Sequence, residues 1–361
     1  VATLTVNIDR VLGNIRKLNV YLAEHNITWT LVTKMLSGNR PVLERLLPDF
    51  SIKGLHSVGD SRIFNLRVIK DIRPDVVTMY IKPPAVNQAR NVIKYADISL
   101  NTSYRTILEL SKEAERQGVV HRIVIMLELG ELREGITRDK AIEFYEKVFE
   151  LSHINVIGLG TNLGCMFGVE PTYDKLIQLS LYAQLIKARF NRDLELISGG
   201  SSITLPLVGK GKIPPGVNHF RVGETAFLGR SLLTGARFDG LSTNAFDFSA
   251  EIVEIAKKEV EPDGKISDAN VGHTADVRTG GPSGARSYRC LVDVGKLDVE
   301  LDDLTLKNRK IKFIGTTSDM TVYDLGDTRG RWRVGGKLHF RPNYMAVARL
   351  MNNRYVTKKV T

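Results

Sequence analysis

The feature that most constrains this chain is an alternation of two hydrophobic periods. Eight short β-branched or apolar runs lie at residues 28–34, 55–58, 76–79, 98–100, 122–128, 154–159, 195–198 and 219–222. Most are followed by amphipathic segments with apolar residues at helical spacing. In 103–117, Ile107, Leu108, Leu110 and Ala114 share one side; in 172–189, Leu176, Leu179 and Leu185 do. Ahead of the first run, Asp9 is placed to cap a helix whose apolar face is Val11, Ile15, Leu18 and Leu22. Strands that alternate with helices pair in parallel through crossovers. Eight such units in about 230 residues suit a (β/α)8 TIM-type barrel, with a doubly wound open sheet as the alternative.

Beyond residue 235 the pattern changes. Strand-like segments at 248–256, 288–294, 310–314, 321–323 and 337–340 are separated by turn signals. These are Pro262-Asp263-Gly264, Gly280-Gly281-Pro282-Ser283-Gly284, Leu301-Asp302-Asp303 and Gly326-Asp327. The expected organisation is therefore a barrel over 1–235 and a smaller, mostly β C-terminal domain over 236–361. Residues 1–8 are a candidate strand for that second domain.

Composition narrows the function classes. With 43% hydrophobic and 25% charged residues, the chain has the make-up of a globular protein and not of a disordered one. No apolar run approaches the length of about 20 residues that spans a bilayer, and no secretory signal pattern opens the sequence. Two cysteines, Cys165 and Cys290, make neither a disulfide framework nor a zinc motif, so a reducing cytoplasm is the expected compartment. The net charge of +11 fits nucleic acid or an anionic small molecule. Its spread along the chain, without a basic block, favours the small molecule.

In such barrels, functional side chains project from the C-terminal ends of strands. Lys34 stands at that end of the first run, where partial desolvation makes an amine nucleophilic. A strand-end lysine reaching solvent is the plainer alternative. Runs seven and eight end in Ser198-Gly199-Gly200-Ser201-Ser202 and Arg221-Val222-Gly223-Glu224. Small residues there let backbone N–H groups approach a phosphate, at the position where many barrels bind one.

These stretches also carry a family resemblance. With Glu128-Leu129-Gly130-Glu131-Leu132-Arg133-Glu134-Gly135, Gly160-Thr161-Asn162-Leu163-Gly164-Cys165 and Thr316-Thr317-Ser318-Asp319-Met320, they run in family order along nearly the whole chain. The chain resembles the fold-type III pyridoxal 5′-phosphate (PLP) enzymes, the alanine racemase family, and in particular an ornithine racemase-like branch. The resemblance implies that Lys34 binds PLP covalently and acts as one proton-transfer base. It sets Arg221 at the pyridine nitrogen, where a group that does not release its proton keeps the ring a weak electron sink. Gly200, Ser201, Gly223, Glu224 and Tyr344 fall at the phosphate. Asn162 stands where relatives have a histidine behind the ring. Arg133 falls at the substrate carboxylate, a natural bidentate partner. Met126 replaces a modified lysine that supports this arginine in some relatives, so that support is missing.

Racemisation needs a base on each face of the α-carbon. The resemblance places Lys296 at the second one, supplied by the partner in a head-to-tail homodimer, with His273 and Tyr288 as alternatives. Asp319 enters from the same surface and suits the side-chain ammonium of ornithine or another basic amino acid; alanine and serine are the other candidate substrates. The expected function is two-base racemisation of a free amino acid, without nucleic acid, membrane or metal. A non-catalytic PLP-binding or regulatory protein and a fold-type III decarboxylase are the alternatives. The decarboxylase lacks its Cys-Asp-Ser type segment here.

Overall fold

The computed structural model describes residues 2–265, 267, 272–274 and 284–361. Residues 280–283 of the glycine-rich turn read from the sequence lie outside the described residues. The chain divides into two compact units, one of residues 9–243 and one of 1–8 with 244–361.

The first strand, β1 (Thr3–Val6), belongs to the second unit. The larger unit is a closed barrel of eight parallel strands. In chain order these are β2 (Thr28–Val32), β3 (Ser57–Asp60), β4 (Thr78–Tyr80), β5 (Ile98–Asn101), β6 (His121–Met126), β7 (Ile154–Gly160), β8 (Leu196–Ser201) and β9 (His219–Val222). Each corresponds to one of the eight runs. Closure comes from β9 pairing with β2, Thr30 opposite Arg221, which excludes the open sheet. Met79, Leu100, Val124, Met126 and Leu196 form a buried apolar cluster within this unit.

Helices in this unit follow their sequence signals. Ser103 caps Tyr104–Arg116 by accepting from the Thr106 N–H, and Thr172 caps Tyr173–Phe190 in the same way through Lys175. Two expectations need correction. The first helix runs Ile8–Ala23, so Asp9 lies in its first turn rather than at the cap, where its charge complements the helix dipole. In Tyr173–Phe190, Leu185 is exposed and Ile186 is buried beside Leu176 and Leu179. Six residues from Leu179 is 1.7 turns, which carries Leu185 to the outer face.

The second unit holds a nine-stranded sheet among the described residues. Its remaining strands are β10 (Phe246–Glu259), β11 (His273–Thr274), β12 (Arg286–Val292), β13 (Leu304–Leu306), β14 (Lys312–Thr316), β15 (Thr321–Gly326), β16 (Lys337–Pro342) and β17 (Thr357–Val360). Strand β10 pairs with β1 and β16 over its first half and with β12 over its second. Phe340 packs against both Phe248 and Tyr323, with ring centroids 5.9 and 5.8 Å away. Among the described residues, no helix is long and apolar enough to cross a membrane.

Candidate active site

The strands of the barrel unit bring Lys34, Asn162, Gly200, Ser201, Arg221, Gly223 and Glu224 to their C-terminal ends. Lys34 opens a turn of 3-10 helix, Lys34–Leu36, just past β2. Thr33 fixes this turn through its hydroxyl, whose one proton is shared between the Gly59 carbonyl at 3.2 Å and the Asp60 carboxylate at 3.1 Å. Burial pushes the Asp60 carboxyl up to about 6, against the pull of the Arg62, Asn65 and Thr33 donors. Lys34 itself is exposed, so the expected desolvation is not seen: the lysine lies two residues beyond the strand's last buried position. Its charge acts on Glu224, whose carboxyl is raised by burial and drawn partly back by Lys34. The two groups follow adjacent strands, Lys34 after β2 and Glu224 after β9.

Arg221 is almost completely buried. Its Nη2 donates to the Thr161 carbonyl at 2.6 Å, and its Nη1 donates to the Ser198 carbonyl at 3.2 Å and to Ser198 Oγ. Burial lowers its pKa to about 10, with Glu134 acting against and Arg133 with that shift, so it stays charged at neutral pH. Carbonyl and hydroxyl acceptors thus hold the guanidinium in place.

The C-terminal ends of β8 and β9 are close-packed. A Cβ at Gly200 would stand 2.2 Å from the Phe220 ring, and one at Gly223 would stand 2.9 Å from the Val32 carbonyl oxygen. Ser202, which the reading from sequence left without a role, is buried between the two strand ends. It accepts from the Gly223 and Thr225 N–H groups, both at 3.3 Å. Asn162, just past β7, has a buried side-chain nitrogen with no hydrogen-bond partner. A buried amide donor left unmatched is costly unless something accepts from it.

Arg133 forms a two-pronged ion pair with Glu134 through Nε and Nη2, and Nη1 donates to Cys165 Sγ at 2.6 Å. This pair raises the arginine's pKa. The support that Met126 does not give is thus provided by a carboxylate on the neighbouring residue. Glu134 also acts on Arg221. One carboxylate therefore serves two cations.

Glu131 is a further residue without an assigned role. Its carboxylate accepts from the N–H groups of Gly164, Cys165, Met166, Phe167, Gly168 and Val169 at 2.5 to 3.2 Å. Gly164 and Gly168 take φ of 68° and 73°, which turns successive N–H groups onto one point. Burial alone would raise the Glu131 carboxyl, but these donors outweigh it and bring the pKa to about 2. The sequence signal was weak: a glutamate followed some thirty residues later by two glycines four apart.

The second unit carries the remaining sequence-predicted residues. Lys296 and Asp319 are exposed and lie on contacting loops. The Lys296 N–H donates to the Thr317 carbonyl at 3.0 Å and Leu297 to Ser318 at 2.8 Å. Asp319 accepts from Ser318 Oγ at 3.1 Å. The backbone of His273 pairs with Thr316, beside the same loop. Tyr288 is elsewhere: it pairs with Gly326, toward the opposite end of β12 from Lys296. Tyr344 is half-buried at the start of helix Tyr344–Asn352, which Asn343 caps.

Comparison with known proteins agrees with the fold. The family model described as alanine racemase, N-terminal domain, matches residues 6–231. An ornithine racemase from Acetoanaerobium sticklandii is 29% identical over 358 residues, covering 99% of each chain. A lysine racemase from Thermotoga maritima is 28% identical over 358 residues, covering 98% of this chain and 97% of its own. The crystal structure of alanine racemase from Corynebacterium glutamicum superposes with a TM-score of 0.74 at 15% identity, covering 100% of this chain and 99% of that one. With a closed barrel, a separate β unit and a family match over residues 6–231 of 361, this chain belongs to the alanine racemase family.

Proposed function

We propose that this protein is a PLP-dependent racemase of free basic amino acids, ornithine or lysine first, acting as a homodimer in the cytoplasm. The observation that carries this reading is the donor set at the barrel mouth. A buried guanidinium, an unpartnered buried amide donor and two close-packed small-residue stretches lie on strand ends around Lys34. That set suits an anionic aromatic cofactor with a phosphate. The full-length relatives named ornithine racemase and lysine racemase support the substrate class.

In this reading Gly200, Ser201, Gly223, Glu224 and Tyr344 hold the phosphate, Asn162 backs the ring and Arg221 meets the ring nitrogen. When bound, PLP supplies an electron sink that acidifies the substrate's α-carbon. Lys34 anchors the cofactor and moves a proton at its Nζ on one face of that carbon. Arg221 keeps its own proton, so the ring nitrogen stays unprotonated and the sink stays weak. A weak sink suits rapid reprotonation rather than transamination. Arg133 receives the substrate carboxylate. For the opposite face, Lys296 of a second copy is the candidate base, and Asp319 of the same loop pair is the candidate partner for the side-chain ammonium. Two free cysteines, one of them exposed, accord with a reducing compartment.

The direct test follows α-proton loss in deuterated water for single amino acids. Ornithine and lysine are expected to exchange at least about tenfold faster than alanine or serine, the difference an ion-paired side chain supplies. Exchange with no amino acid, despite bound cofactor, rejects the racemase and leaves the binding protein. Faster exchange of alanine removes the basic-substrate assignment.

Glu134→Gln makes a second test. Without the carboxylate, Arg133 and Arg221 repel one another and Arg133 swings out. The expected result is a KM about five- to tenfold higher with kcat little changed, the pattern of lost uniform binding. A KM that falls would mean that Glu134 instead competes with the substrate carboxylate.

A further inference from the structure

We propose that His219 is a positioning residue, one that fixes the Arg221 guanidinium through Ser198 by setting the proton direction of a buried hydrogen-bond chain. The proposal deepens the reading above, since it rests on Arg221 facing the cofactor ring.

Residues two apart on a strand share a face, so His219 and Arg221 of β9 project the same way. Ser198 of β8 lies in register with His219, and Thr30 of β2 pairs with Arg221. The contacts form a continuous chain. Arg221 Nη1 donates to Ser198 Oγ, Ser198 Oγ meets His219 Nδ1 at 2.8 Å, and His219 Nε2 meets Thr30 Oγ1 at 2.9 Å. Beyond it, Thr30 Oγ1 meets Ser57 Oγ at 2.7 Å and Ser57 Oγ meets His56 Nδ1 at 3.1 Å. Every member but His56 is buried.

The guanidinium gives this chain a direction. A guanidinium only donates, so Ser198 Oγ must accept from it. The single Ser198 hydroxyl proton is matched when it turns to His219 Nδ1, which then carries none. The imidazole is therefore neutral, with its proton on Nε2, donating to Thr30. A proton on Nδ1 would instead make Ser198 Oγ accept from both His219 and Arg221, and would turn the hydroxyl proton away from the imidazole. The charged and titratable groups around His219 hold it neutral: it is fully buried, Arg221 is on its own strand, and the His56 ring lies edge-on at 5.0 Å. Burial first, then these two neighbours, push its pKa well below the usual histidine range.

Two measurements test this. In the chain without cofactor, nitrogen NMR of labelled histidines is expected to show His219 neutral and protonated on Nε2 throughout the neutral pH range. A proton on Nδ1, or an imidazolium, overturns the proposal. In the holoenzyme, His219→Asn keeps an amide where Nδ1 stood, whereas His219→Gln reaches toward Nε2. The expected result is rescue by asparagine to within about fivefold of the wild-type kcat. Glutamine is expected to lose about 10- to 100-fold in kcat, with KM within about twofold and the cofactor's visible band shifted. Equal losses in both variants, or a loss confined to melting temperature, also overturn it. A wild-type protein that racemises nothing fails the functional reading alone, because the tautomer is read without cofactor or substrate.

Discussion

Lys34→Ala is expected to lower racemisation by at least about 10⁴-fold, because it removes the anchoring nucleophile and one of the two bases together. The melting temperature should stay within about 2 °C, since exposed side chains contribute little to stability. Lys34 is exposed and its turn is held by Thr33 through the Gly59 carbonyl and the Asp60 carboxylate, so the scaffold survives its loss. Lys34→Arg should be equally inactive, because a guanidinium keeps its charge but is no nucleophile at neutral pH. Absorption of the bound cofactor and chiral product analysis measure the two effects separately. A Lys34→Ala protein with more than about 1% of wild-type turnover would remove Lys34 from the chemistry, since loss of a nucleophile leaves far less.

The barrel was legible because each buried parallel strand is a short apolar run, and closure needs only that eight follow one another. What was missed had weaker signals. β13 and β17 are three and four residues long, and β17 (TKKV) carries two lysines, Lys358 half-buried and Lys359 exposed. Lys34 and Arg221 could be read as site candidates because they close apolar runs at the expected end of the barrel. Ser202, Glu134 and Glu131 could not. Their partners are backbone N–H groups or a neighbouring guanidinium, and no side-chain pattern records a backbone donor. His219 stood inside a strand run with nothing to mark it, since its partners are 21 and 189 residues away.

The mouth of this barrel is held by a few anchoring contacts. Arg221 is fixed by Ser198 and the Thr161 carbonyl, Arg133 by Glu134, and the loop after β7 by Glu131. Thr161 also donates to the Leu127 carbonyl at 2.9 Å, which ties the β7 end to the β6 end. Asn162 follows it directly, and Cys165 touches Arg133. Loss of the Glu131 anchor therefore reaches two candidate binding residues without touching either.

Glu131→Gln is accordingly expected to act on both stability and turnover. The carboxylate accepts six N–H groups, whereas an amide has a single acceptor oxygen and an NH2 group that points donors at donors. Hydrogen bonds to a charged group are worth about 1.5–3 kcal/mol each, but the loop can open to water instead of leaving six orphaned donors. The net loss should therefore be about 2–4 kcal/mol, the range of one or two such bonds. It should come with a kcat about tenfold lower as Asn162 loses its support. Glu131→Ala should behave alike, because neither variant offers a carboxylate.

The pH dependence has a definite sign. The folded Glu131 carboxyl ionises at about 2 and the ordinary value is 4.5, so its stabilisation is fully present above 4.5. It is lost as pH falls from there toward about 2. Wild type and Glu131→Gln should thus differ most near neutrality and converge in strong acid. Amide hydrogen exchange over residues 164–169, with melting curves taken across that pH range, measures both. If the variant keeps wild-type protection on those amides and melts with the parent at neutral pH, the carboxylate does not hold the loop, and the coupling of Asn162 to Glu131 goes with it.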